Sequence, residues 1–69
     1  MLISAKEIRR AMIDAGHNVK TLSLAAQVAP FNVSRMTREN RNIQISTLGR
    51  IAKALKVDPE SLLVENRGE

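Results

Sequence analysis

The chain has 69 residues, a formal net charge of +4, 26% charged residues, no cysteine and one histidine. Those numbers exclude disulfides and thiolate metal sites, and a lone His17 cannot assemble a metal cluster. No apolar run approaches the ~20 residues of a membrane-spanning helix, and MLISAKEIRR lacks a secretory signal pattern, so a soluble, unprocessed protein of a reduced cytoplasm is expected.

In chain order, the spacing predicts five helices and no strand, an all-α domain over 1–69 with its core in 5–64. A chain this short buries only about 60% of its unfolded surface, so the core is small. Helix 1 covers residues 5–15. Ser4 and Glu7 form a capping box, Ile8, Ala11, Met12 and Ala15 repeat at i, i+3, i+4 and i+7, and Gly16 ends the helix. Asn18 caps helix 2, which runs to Ala26 with Leu22, Ala25 and Ala26 inward. Val28 closes a bend. Pro30 then suits the first position of helix 3, which anchors through Val33 and Met36 and fades near Arg38, with Asn40 in a left-handed closing conformation. Arg38–Asn42 is a polar loop. Leu48, Ile51, Ala52 and Leu55 form the inner stripe of helix 4, Asp58 and Pro59 start helix 5 around Leu62 and Leu63, and residues 65–69 are a fraying tail.

Two short helices joined by a tight bend, Asn18 to Met36, have the layout of a helix-turn-helix. Charge follows the same geography. Residues 35–56 hold six basic groups and one acidic group, whereas residues 57–69 hold one and four, as expected when one face meets a polyanion. On a helical wheel Phe31, Arg35 and Arg38 share a stripe opposite Val33 and Met36, flanked by Asn32. In a major groove Arg can pair with guanine O6 and N7, Asn with adenine N6 and N7, and Phe can press on a thymine methyl. Arg35 is the leading base reader, and Arg38 the better phosphate clamp. Asn18 with the free N–H groups of Val19 and Lys20 offers a phosphate site at the start of helix 2, and Arg38, Arg41 and Asn42 offer one across the motif. Arg50, Lys53 and Lys56 read first as a solvated face and second as peripheral phosphate contacts. His17 and the five serines sit at caps and helix positions that need no catalytic explanation, so neither an enzyme nor a cofactor is expected.

IRRAMIDAG, LSLAAQV, VSRM and ISTLGRIAKALKVDPESLL are together similar to the Cro and phage-repressor type, or XRE-type, helix-turn-helix family over roughly residues 5–64. The resemblance implies a compact five-helix, lambda-repressor-like domain in which Pro30, Phe31, Asn32 and Arg35 occupy positions that reach base edges. The family includes restriction-modification control proteins, phage regulators and antitoxins. The chain departs from its pattern at Gln27, where Gly is common, at Met12 and Thr37, where many members pair an Arg with a Glu, at Glu39, where Gly is common, and at Ile43, where Pro is common. Exchanging a buried ion pair for packing can be neutral for stability.

The expected partner is double-stranded DNA, read by a homodimer on half-sites about 34 Å apart. Val57, Leu62, Leu63 and Val64 exceed what one short helix can bury and form the expected dimer surface, with Leu2 and Ile3 beside it. A regulator of transcription follows, acting by excluding or touching RNA polymerase. The alternative is a protein-interaction module that keeps the fold without base reading and uses Phe31 and the helix 5 patch as contacts.

Overall fold

The computed structural model describes residues 1–64; the expected fraying of 65–69 lies outside them. Helix α1 is Ala5–Ala15, with Ser4 extended and its Oγ accepting from the Glu7 N–H at 3.3 Å. Only this half of the capping box forms. The Ser4 N–H is taken by the Leu62 carbonyl at 2.8 Å, and the Glu7 carboxylate lies 3.9 Å from Arg10. Gly16 adopts φ 74°, and the His17 N–H donates to the Met12 carbonyl at 2.9 Å, which closes the helix. Ala5, Ile8, Ala11 and Met12 are buried, whereas Ala15 is exposed, so the apolar stripe stops a turn early.

Helix α2, Val19–Ala26, starts with a reciprocal box: Asn18 Oδ1 accepts from the Thr21 N–H at 2.8 Å, and Thr21 Oγ1 accepts from the Asn18 N–H at 2.9 Å. Leu22, Ser23 and Ala26 face the core. Ala25 lies exposed instead of inward, and Ser23 is buried in its place because its hydroxyl donates to the Lys20 carbonyl at 2.8 Å. The bend turns on Gln27, which holds the left-handed conformation at φ 58°. That conformation costs an L-residue about 1–2 kcal/mol, against ~0.5–1 kcal/mol of extra unfolded-state freedom for glycine. Gln27→Gly is therefore expected to stabilise the domain by about 0.5–1 kcal/mol, read as a rise of several degrees in thermal midpoint. A fall would show that the Gln27 side chain makes a contact worth more than the strain.

Helix α3 is Pro30–Met36, shorter than predicted, because Thr37 Oγ1 donates to the Ser34 carbonyl at 2.7 Å and the chain departs. Asn40 is not left-handed. Its Oδ1 accepts from the Ala5 N–H at 2.9 Å, so it satisfies an orphan donor of α1 from 35 residues away. Helix α4 is Ile45–Leu55, with Leu48, Ile51, Ala52 and Leu55 buried as predicted and Lys56 left-handed at φ 60°.

The all-α, five-helix expectation needs two corrections. Leu2–Ile3 (β1) and Arg41–Asn42 (β2) form an antiparallel pair, Leu2 opposite Asn42 and Ile3 opposite Arg41. The Met1 carbonyl extends this ladder by accepting from the Ile43 N–H at 2.9 Å. The expected fifth helix is a four-residue 3-10 helix, Pro59–Leu62, started by Asp58 Oδ1 accepting from the Glu60 N–H. It stays short because the chain straightens to run beside β1, where Leu63 bridges Ile3 and the Val64 N–H donates to the Leu2 carbonyl at 3.0 Å. The core joins Ile3, Ile8, Leu22, Val33, Met36, Ile51 and Leu62, one side chain or more from nearly every element.

This packing also revises the dimer surface. Leu62 is 1% exposed and sealed within its own chain, and Ile3 is 0% exposed, so neither can meet a second copy. Val57 and Leu63 are half-buried against the core, and Val64 is half-buried.

Candidate nucleic-acid interface

Two fully buried anchors, Val33 and Met36, fix the rotation of α3, so the helix turns Pro30, Phe31 and Asn32 to solvent. Phe31, the chain's single aromatic residue, is 65% exposed. Arg35 follows it by one turn and is partly covered. Its guanidinium carbon lies 5.7 Å from the Phe31 ring centroid, and its Nη2 lies 3.1 Å from Glu39 Oε2. A guanidinium over an aromatic face is an attractive arrangement, so the exposed ring and the cation stabilise one another at the surface. Arg38 is exposed just past the helix end.

The expected phosphate contacts lie at the start of α2 and in the segment from Arg38 to Asn42. At the start of α2 the Asn18 Oδ1 is engaged by Thr21, which leaves the Asn18 amide N–H groups and the opening N–H groups of Val19 and Lys20 as donors. Arg41 and Asn42 lie on β2, where pairing with β1 makes a short ribbon of what reads in the sequence as a loop. A groove of about 360 Å³ between α3, β2 and α4 gathers Asn32, Arg41, Asn42, Gln44, Thr47 and Arg50. Gln44 and Thr47 in this groove were not among the expected contacts, and Arg50 was expected there only as a second, peripheral reading. One local signal pointed there: the helix begins after Gln44 without a Ser, Thr, Asp or Asn cap, and no side chain caps it. Arg50 thus joins Asn32 and Arg41 and also borders a second cleft beside the end of α2, which Lys53 and Lys56 line.

A further tie went unread in the sequence. Arg9 Nη1 donates to the Thr37 carbonyl at 2.6 Å, linking α1 to the end of α3. A cation at a helix C-terminus is favourable, and this one fixes the helix that carries the exposed stripe. Met12, a turn further along α1, is buried in the core. Among the described residues no group of three or more potential metal ligands comes together, and no helix is long and apolar enough to cross a membrane.

The family model of the Cro/C1-type helix-turn-helix DNA-binding domain matches residues 7–66. The chain belongs to that family. Among solved structures, this Cro/C1-type domain is similar to the restriction-modification controller protein C.AhdI from Aeromonas hydrophila, with 22% identity, a TM-score of 0.78, and coverage of 86% of this chain and 89% of that one. It is also similar to PhpD, in its native form with cadmium and with cadmium and hydroethylphosphonate, at 16% identity and a TM-score of 0.80. There the match covers 97% of this chain but 14% of PhpD, so the domain corresponds to a small part of that protein. At these identities the likeness is one of fold. No curated protein matches the sequence.

Proposed function

We propose that this Cro/C1-type domain is a sequence-specific transcriptional regulator that binds an operator as a homodimer, with α3 in the major groove. The observation that carries the reading is the orientation of α3: Val33 and Met36 locked in the core, and Phe31, Asn32 and Arg35 on its outer side, with Asn32 bordering the groove that holds Arg41 and Arg50. An α-helix fits that groove, and these side chains match its hydrogen-bonding and methyl pattern. Arg35 is assigned to a guanine edge and Asn32 to an adenine edge. Phe31 and Pro30 supply apolar contact. Asn18, Val19, Lys20, Arg38, Arg41 and Asn42 hold phosphates, joined by Arg50 in the groove beside Arg41.

A homodimer follows from reach. Seven residues of α3 span about 10 Å of helix, enough for only a few base pairs, and two copies supply the contacts that a selective operator complex needs. The partly exposed Leu2, Val57, Leu63 and Val64 are the apolar groups left at the former patch. Bound near a promoter, the pair regulates transcription by excluding RNA polymerase or by touching it.

The test is a titration against random-sequence duplex DNA at several salt concentrations, followed by selection from a duplex pool. Binding is expected to weaken steeply with salt, log K against log salt falling with a slope of about −0.9 for each phosphate neutralised. Selection is expected to converge on a sequence with two-fold symmetry. No retention of duplex DNA even at low salt would overturn the reading and favour the protein-interaction module.

A further inference from the structure

Phe31, Arg35 and Glu39 recur every four residues and form a single assembly, although α3 itself ends at Met36. The Glu39 N–H donates to the Arg35 carbonyl at 3.2 Å, which continues the helical path far enough to bring the carboxylate under the guanidinium. Arg35 is thereby held from two sides, by the ring at 5.7 Å and by Glu39 Oε2 at 3.1 Å. Glu39 is also the one acidic residue between positions 35 and 56, set among six basic ones. A carboxylate on a phosphate-facing surface needs a reason, because it weakens the attraction of that surface for any DNA.

We propose that Glu39 is a specificity-determining positioning residue: with Phe31 it aims Arg35 at a base edge before DNA arrives. This rests on the assignment of Arg35 as a base reader. A free arginine samples many rotamers, and ordering it on binding subtracts from affinity; an arginine already held gives up less. The guanidinium carries five N–H donors, so the one turned to Glu39 leaves enough for the paired contact to guanine O6 and N7. The same carboxylate repels phosphates wherever Arg35 has no base to read, so complexes at unrelated sequences lose affinity. Glu39 thus acts with opposite signs on the two kinds of complex. An exposed ion pair contributes little to folding, so this selectivity is separable from stability.

The experiment compares wild type, Glu39→Gln, Phe31→Leu and Arg35→Ala on two duplexes of equal length: the one that wild type enriches from a random pool, and an unrelated one. Glu39→Gln is expected to bind the enriched duplex about three- to tenfold more weakly, the effect of one side chain left to be ordered on binding. The same variant is expected to bind the unrelated duplex about two- to threefold more tightly, since one repelling charge is gone. Phe31→Leu is expected to weaken the enriched duplex without tightening the unrelated one. Thermal midpoints of all three variants are expected to stay near wild type.

If Arg35→Ala loses the preference while Glu39→Gln tightens both duplexes equally, or changes neither, the positioning role is refuted and Arg35 reading stands. If Arg35→Ala keeps the wild-type preference, the base-reading assignment itself fails and the proposal falls with it.

Discussion

Ile51→Ala is expected to lower the thermal midpoint by roughly 10–30 °C, whereas Ile45→Ala, six residues earlier on the same helix, is expected to move it by no more than a few degrees. Both remove the same atoms from α4. The difference lies in burial: Ile51 is 0% exposed at the centre of the core, and Ile45 is 73% exposed. Truncating a buried isoleucine costs about 2–5 kcal/mol through lost transfer energy and the cavity left behind. A domain of this length commands roughly 3–10 kcal/mol in total, so that single loss is a large share. Helical circular dichroism during heating gives the answer. Equal shifts for the two variants would mean that α4 is rotated from the position described.

Arg35→Ala is expected to weaken binding to the selected duplex by about 5- to 150-fold, the ~1–3 kcal/mol of a good bidentate base contact, and to flatten sequence preference at one base pair of each half-site. Lys53→Ala is expected to change affinity little. Both remove one positive charge, so a purely electrostatic surface would respond to them alike. Lys53 lines the cleft beside the end of α2 and not the groove that holds Asn32 and Arg41, and Arg35 alone of the two sits on the exposed stripe of α3. Measured affinities at one salt concentration for the two variants decide it. Equal losses, uniform across sequences, would demote Arg35 to a phosphate contact.

Local signals are reliable where one residue determines its own surroundings. Gly16, Asn18, Pro30 and Asp58 each mark a boundary through its own backbone preference or hydrogen bonding, and each boundary appears where that preference places it. The inward face of α3 was legible for the same reason, since Val33 and Met36 leave little freedom in the phase of a seven-residue helix. What escaped notice depends on partners far along the chain. The β1–β2 pair involves two residues a side and so leaves no alternating pattern, and Asn40 is fixed by the Ala5 N–H rather than by its neighbours. Leu62 could be read either as dimer surface or as core, because nothing near it in sequence reveals that it joins Ile3 in one cluster. The expected interface failed there for a tertiary reason. At the site, residue types indicated the chemistry of Arg35, but its clasp between Phe31 and Glu39 required knowing that the chain keeps winding past the end of α3.

Strand β1 lies between two segments that come much later in the chain, Arg41–Asn42 on one side and Leu63–Val64 on the other, while Ile3 and Leu62 complete the core beneath it. A polypeptide emerging from the ribosome therefore has all four α-helices before it has a floor to stand them on. Until the last of these segments clears the exit tunnel, Ile3 has no cover and Leu2 offers an unpaired carbonyl. A chain cut after Lys56 is therefore expected to keep helices but to be cleaved by proteases more readily than one that reaches Val64.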